Sequence, residues 1–295
     1  MNFSQFLQLI RIEHWVKNLF VFIPAFFAAR LFHFQVFQQA FGAFLGFSLV
    51  ASAVYVLNDL VDAEQDRNHP KKCFRPIAAG LVSPKLAWVF FGVLLVSGLA
   101  ISSILGYKVL IFSSLYLLQN VAYSFWLKHF AIIDISLIGL GFLLRVFTGG
   151  AATGTDVSDW LIVLTFLLAL ILGLAKRRGE YLVKTGGHSF RRSLEGYNLP
   201  FIDVSMVVSA TVTIVAYLMY CFSEEVKIRI GSEKVFYTVF FVIIGILRYL
   251  QLTLVYNKTE SPTRVLLVDR FTQVVLLLWV LSFVWLLYIK SHFMG

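Results

Sequence analysis

The chain has 295 residues, is 59% hydrophobic and only 14% charged, with a mean hydropathy of +0.82. Soluble domains carry roughly a quarter charged residues, so a soluble globular fold is excluded. Recurring apolar runs near the roughly 20 residues that one helix needs to cross the hydrocarbon predict an all-α, polytopic membrane protein. The net charge of +9 fits either an excess of Lys and Arg on the cytoplasmic side or the handling of anions.

Nine apolar segments are read along the chain, at about 17–32, 37–57, 85–105, 108–127, 131–153, 159–176, 201–222, 235–256 and 269–289. The first is short and holds Pro24, which predicts a tilt or break there. Most connections are tight. Two are long, polar and basic, at about 58–84 and 177–200. With the N-terminus inside, both long loops and the turn at Lys128 face the cytoplasm, and most of the 25 Lys and Arg lie on that side. No linker divides the chain, so a single domain over 1–295 is expected, its active site in the two cytoplasmic loops. Cys73 and Cys221 have no CxxC partner and indicate neither a metal site nor a disulfide framework.

The first loop opens on Asn58, Asp59, Asp62 and Asp66, the pattern N-D-x-x-D-x-x-x-D. On a continuous helix these four side chains fall within an arc of about 100°. Unpaired carboxylates on one face repel one another, and a divalent cation relieves this. Mg²⁺ prefers oxygen donors and is commonly held by one or two carboxylates together with substrate phosphates. The bases that follow, Arg67, Lys71, Lys72 and Arg75, exceed what the acids need once a metal is bound. Arg grips phosphate with a two-pronged fork, and Lys acts as a mobile point charge. The stretch therefore reads as metal ligands followed by phosphate ligands. A solvated loop face with paired charges is the bland alternative.

At these residues the chain resembles the UbiA superfamily of intramembrane prenyltransferases, whose first signature is this acidic pattern followed by Arg75-Pro76. Many members carry a second D-x-x-x-D after the sixth span. Here "LAKRRGEYLVKTGGHSFRRSLEGY" stands instead, with Glu180 beside Lys176, Arg177 and Arg178. That stretch is similar to the decaprenyl-phosphate phosphoribosyltransferase branch, which shows K-R-x-x-E followed by R-x-S-L-x-x-Y. The matching positions are Lys176, Arg177 and Glu180, then Arg191 or Arg192, Ser193, Leu194 and Tyr197. "RIEHWVKNLFVF" and "YSFWLKHFAIIDISLIGLGFLLRVFTGG" resemble further segments of the same branch.

The resemblance implies a UbiA-like helical bundle around a central cavity, in the cell membrane, with the active site facing the cytoplasm. It implies Mg²⁺-dependent transfer of a 5-phosphoribosyl group from phosphoribosyl diphosphate to a polyprenyl phosphate, releasing diphosphate. In that branch the product serves cell wall precursor synthesis. Asp59, Asp62 and Asp66 are then catalytic, with Asn58 beside them on the metal. The resemblance gives no role to nucleic acid and leaves a homo-oligomer open. A prenyl diphosphate donor with an aromatic acceptor is the first alternative, and a non-enzymatic transporter the second.

Other residues join the expected substrate site. Lys17 and Asn18 open the first span, where lipid-facing snorkelling is the plain alternative. Tyr123, Lys128 and Asp134 surround the turn between spans four and five, and an acid that begins an apolar span usually faces a cavity or a partner. Arg145 lies inside a span, paired or facing water. Lys176, Glu180 and Lys184 share one face if the sixth span continues as a helix past Gly179. Glu180 is expected as a metal ligand or a partner of Lys176, and Arg177, Arg191, Arg192 and Tyr197 complete an anion clamp.

Overall fold

The computed structural model describes residues 3–68, 72–184, 192–257 and 268–289, and every described element is helical or a turn. The N-terminal region does not form one helix. α1 (Phe3–Leu9) stops at Arg11, which takes the left-handed conformation at φ 50°. A 3₁₀ helix follows over Ile12–Phe22, and α2 (Ile23–Phe27) begins with Pro24 in its first turn. Where a tilt or break is expected at Pro24, the chain stays helical and changes from 3₁₀ to α. Eleven residues of 3₁₀ helix are unusual, because its hydrogen bonds are poorer than those of an α-helix. Here the three-residue period places Trp15, Asn18 and Val21 in line. Trp15 Nε1 donates to Ser52 Oγ at 3.0 Å and Asn18 Nδ2 donates to Ser48 Oγ at 2.8 Å. Side-chain bonds at successive 3₁₀ turns thus meet serines one α-helical turn apart.

Those serines belong to α3 (Phe34–Val61), which runs past the expected end of the second span and carries Asn58 and Asp59 in its last turn. Asp62 leaves the helical region (φ −91°, ψ 4°), and α4 (Ala63–Arg67) resumes after it. The long first loop is therefore largely ordered, with a further 3₁₀ turn at Lys72–Phe74. α5 (Pro84–Leu105) starts on Ser83, whose hydroxyl accepts from Leu86 N, with Pro84 at the first helical position. α6 (Tyr107–Phe125) follows after Gly106. Gly98 lets α5 lie against α3: a Cβ there would meet Gly46 O at 2.8 Å.

α7 (Ile133–Thr153) and α8 (Asp159–Lys184) come next. α8 continues through Gly179, so Lys176, Arg177 and Glu180 are helical. α9 (Leu199–Phe222) is capped by Asn198, which accepts from Phe201 N. α10 (Glu224–Ile230), a 3₁₀ turn at Glu233–Thr238 and α11 (Val239–Leu250) lead into a π-helical turn at Gln251–Val255. α12 (Arg270–Val284) is capped by Asp269 and ends in a second π turn at Trp285–Ile289.

Among the described residues, seven of the nine expected segments form helices long and apolar enough to cross a membrane. The other two are the mixed 12–27 stretch and α6, which is diluted by Ser113, Ser114, Gln119 and Asn120. The chain forms two compact units, Met1–His129 with Gly141–Val157, and Phe130–Leu140 with Ser158–Gly295. The core of the first is built around α3, with Phe47, Val50, Ala51 and Val54 against Tyr116 and Leu144. The core of the second joins Ile135, Ile171, Leu174, Leu194, Tyr197, Ile202 and Met206.

Candidate active site

In the first unit, the end of α3 places Asp59 in a buried position, only 2% exposed, and α4 does the same for Asp66. Two buried carboxylates require compensation, and the chain supplies it from three places. Arg75 Nη1 lies 3.1 Å from Asp59 Oδ1 and 2.6 Å from Asp66 Oδ2, so one guanidinium bridges both acids. Arg11 forms a second ion pair with Asp59 Oδ1, its guanidinium 4.9 Å from the ring centre of Tyr55. Lys72 Nζ stands 3.9 Å from Asp66.

Asp62 points elsewhere, to Lys128 Nζ at 2.9 Å. Asn58 Oδ1 accepts from the hydroxyl of Ser124. The sequence pattern thus gives a converging pair, Asp59 and Asp66, flanked by Asp62 and Asn58, each with its own partner. Among the described residues no three acid, His or Cys side chains are grouped as a complete metal cage. A pair of carboxylates nevertheless fits Mg²⁺, which rarely uses an all-protein cage and takes its other ligands from phosphates and water. Arg67 is exposed, and its Nε reaches only Ala78 O at 3.4 Å. Lys71 lies outside the described residues.

Deeper in the same unit, Arg145 is buried and stacks near the rings of Phe47, Tyr116 and Phe142. Its donors reach Asn18 Oδ1 at 2.7 Å, Gly141 O at 2.7 Å and Tyr116 Oη at 3.2 Å. Every one of these acceptors is neutral, so the charge is hydrogen-bonded without being cancelled. Asn18 is engaged at both amide atoms, Oδ1 by Arg145 and Nδ2 by Ser48. Lys17 is half-buried and has neither a hydrogen bond nor an ion pair with any described residue. Tyr123 is half-buried on α6.

In the second unit, Asp134 and Arg177 are both 0% exposed. Arg177 Nε lies 2.7 Å from Asp134 Oδ2, off the axis of a linear hydrogen bond. Arg177 also pairs with Glu180, whose side chain is 31% exposed. Tyr197 donates to Asp134 Oδ1 at 2.7 Å and accepts from Ile132 N at 2.6 Å. Burial first, and then the bond to Asp134, push the Tyr197 phenol well above its usual range, so it stays a donor. Lys176 is half-buried beside this lock. Arg191 lies outside the described residues, as do the side chains of Lys184 and Arg192.

Three polar residues of these clusters are not among the site residues expected from sequence. Arg11 opens the quoted "RIEHWVKNLFVF" stretch, yet its partner Asp59 is 48 residues away. Ser124 lies in the quoted "YSFWLKHF" stretch without a role assigned to it, and Tyr116, eight residues earlier on the same helix, carries no sequence signal. Arg178, adjacent to the clamp residues, is a structural tie: it bonds Asp203 at 2.8 Å, Thr253 O at 2.8 Å and Asn257 at 2.6 Å.

The sequence model of the UbiA prenyltransferase family matches residues 18–294. The decaprenyl-phosphate phosphoribosyltransferase of Mycobacterium tuberculosis is 34% identical over 278 residues, covering 92% of this chain and 90% of the relative. The enzyme of the same name from Mycolicibacterium smegmatis is 32% identical over 288 residues, covering 94% and 90%. Among solved structures, a UbiA homolog from Archaeoglobus fulgidus bound to DMAPP and Mg²⁺ superimposes with a TM-score of 0.71 at 17% identity, over 96% of this chain and 99% of that one. At that identity the likeness is one of fold. Apolar helices, chain-length sequence match and fold agree: the protein is a multi-pass membrane protein and belongs to the UbiA prenyltransferase family.

Proposed function

We propose that this chain transfers a 5-phosphoribosyl group from phosphoribosyl diphosphate to a polyprenyl phosphate and releases diphosphate. The observation that carries this reading is the kinship, over nine tenths of both sequences, with enzymes named decaprenyl-phosphate phosphoribosyltransferase. The chemistry of the first unit supports it: a carboxylate pair for a metal, set among cations that suit phosphorylated ligands.

Asp59 and Asp66 would hold Mg²⁺, with Asp62 and Asn58 flanking them. Bound there, Mg²⁺ supplies Lewis-acid stabilisation of the charge growing on the departing diphosphate. Arg75, Lys72 and Arg67 orient the diphosphate, and Lys17 and Lys128 offer further cationic donors. An oxygen of the lipid phosphate attacks C1 of the ribose while the bond from C1 to the diphosphate oxygen breaks, and the diphosphate leaves with that electron pair. A phosphate monoester is already anionic at neutral pH, so no strong general base is required. Fixed cations offset the repulsion between two polyanions without reorganising during the reaction. In the second unit, Asp134, Arg177 and Tyr197 act as positioning residues: they lock the segment on which Lys176 and Glu180 stand. The site faces the cytoplasmic side of the cell membrane, where a soluble sugar diphosphate is available, in keeping with the excess of basic residues in the two long connections.

The test is mass analysis of the lipid product made by purified protein with Mg²⁺, phosphoribosyl diphosphate and polyprenyl phosphate. The expected product is the polyprenyl phosphoryl ribose 5-phosphate. Turnover with a prenyl diphosphate and a phenol, and none with phosphoribosyl diphosphate, overturns the assignment in favour of an aromatic prenyltransferase.

A further inference from the structure

The guanidinium of Arg75 occupies the ground between Asp59 and Asp66, 3.1 Å from one and 2.6 Å from the other. A divalent ion shared by these two acids would take the same ground between them, where its charge and that of the guanidinium repel. Asp59 and Asp66 are buried, whereas the Arg75 side chain is 27% exposed, so it is the partner with room to leave. Arg11 is held over the ring of Tyr55 and keeps its contact with Asp59.

Charge decides what accompanies the ion. Among the described residues, the three carboxylates of Asp59, Asp62 and Asp66 face four cations: Arg11, Lys72, Arg75 and Lys128. The cluster is already positive by one. A divalent ion arriving alone displaces Arg75 from both acids and raises that surplus to three. Arriving with diphosphate, it brings more negative charge than positive. Arg75 then trades two carboxylate oxygens for phosphate oxygens, which its fork fits equally well.

We propose that Arg75 is a displaceable internal counter-ion, so that the divalent cation and the diphosphate bind as one ligand, each raising the affinity for the other. This rests on the reading of the cluster as a metal–diphosphate site. The coupling is reciprocal by linkage.

The experiment measures Mn²⁺ binding to chelator-washed protein in nanodiscs by the electron paramagnetic resonance of free Mn²⁺, with and without inorganic diphosphate. In the wild type, saturating diphosphate is expected to tighten Mn²⁺ binding at least about tenfold, within the usual range of coupling. Arg75→Gln is expected to bind Mn²⁺ alone more tightly than the wild type, by about tenfold, and to lose most of the gain from diphosphate. If thermal unfolding shows Arg75→Gln misfolded, Arg75→Lys, which keeps the charge but cannot bridge both acids, is expected to move in the same direction by a smaller amount. Wild-type Mn²⁺ affinity unchanged by bound diphosphate, or a folded Arg75 variant whose affinity for Mn²⁺ alone equals the wild type, overturns the proposal. Failure of diphosphate to bind even with Mn²⁺ present overturns the site assignment beneath it as well.

Discussion

Tyr197 holds two groups with one hydroxyl: it donates to Asp134 Oδ1 over 2.7 Å and accepts the backbone N–H of Ile132 over 2.6 Å. Ile132 has φ 68°, a left-handed conformation that a β-branched residue rarely adopts. The phenol therefore fixes a strained turn and, at the same time, the carboxylate that compensates Arg177. Tyr197→Phe keeps the ring and removes both bonds, taking a partner from the buried Asp134 carboxylate and from the N–H of the exposed Ile132. A loss of about 1–3 kcal/mol is expected, read as a lowered unfolding temperature in detergent. Turnover should fall with it.

The Asp134–Arg177 pair is buried on both sides. Removing one partner strands a charge, whereas removing both replaces the pair by apolar volume. Asp134→Leu is expected to cost about 3–5 kcal/mol. The double variant Asp134→Leu, Arg177→Met should recover a large part of this, since Glu180 is partly exposed and can be hydrated in place of its lost partner. Thermal unfolding of both single variants and the double one measures the coupling. A double variant no more stable than the weaker single one would contradict the assignment of this pair as a buried charge lock.

Gly149 and Gly92 both lie inside helices and have opposite surroundings. A Cβ at Gly149 would fall 1.9 Å from Val21 O, because the 3₁₀ segment touches α7 backbone to backbone; a Cβ at Gly92 would meet nothing within 4 Å. Gly149→Ala is therefore expected to destabilise by at least about 3 kcal/mol, the upper range for overpacking. Gly92→Ala should be neutral or stabilising by up to about 1 kcal/mol, the helix preference of Ala over Gly. Unfolding temperatures of the two variants separate the cases, and equal shifts would remove close backbone contact as the reason for Gly149.

The parts of this protein that could be read from sequence are those whose signal is local. Long apolar runs mark the spans, Pro24 marks the change of helix type, and the spacing of Asn58, Asp59, Asp62 and Asp66 marks a polar helix end. An acid at the start of an apolar run singles out Asp134, and an Arg inside one singles out Arg145. Their partners were not legible. Arg177, Asn18 and Tyr116 reach them across the fold, and no short-range pattern encodes that. The 3₁₀ form of residues 12–22 was hidden too, because over eleven residues the apolar positions fit a period of three and one of 3.6 alike. The turn at Asp62 was hidden by the same acidic spacing that revealed the motif, since that spacing assumes an unbroken helix.

That turn separates acids that look equivalent in sequence. Asp59 and Asp66 converge on one guanidinium, and Asp62 pairs with Lys128. Equal roles on a continuous helix face would make the three Asp→Asn variants equally damaging. The geometry instead ranks them. Asp59→Asn and Asp66→Asn each take a charged oxygen from the proposed metal pair, and transfer should drop by at least about 100-fold, as when a group stabilising transition-state charge is lost. Asp62→Asn alters a group one step away, and about 10-fold is expected, the lower range for outer-shell partners of a metal. Rates at saturating phosphoribosyl diphosphate, with Mg²⁺ titrated for each variant, read this order. Chelation of the metal should abolish transfer in all of them. Raising Mg²⁺ should recover Asp62→Asn more fully than the other two, because its metal donors are intact. A Asp62→Asn variant as impaired as Asp59→Asn, at every Mg²⁺ concentration, would place all three carboxylates on the ion and require the Asp62–Lys128 pair to open when substrate binds.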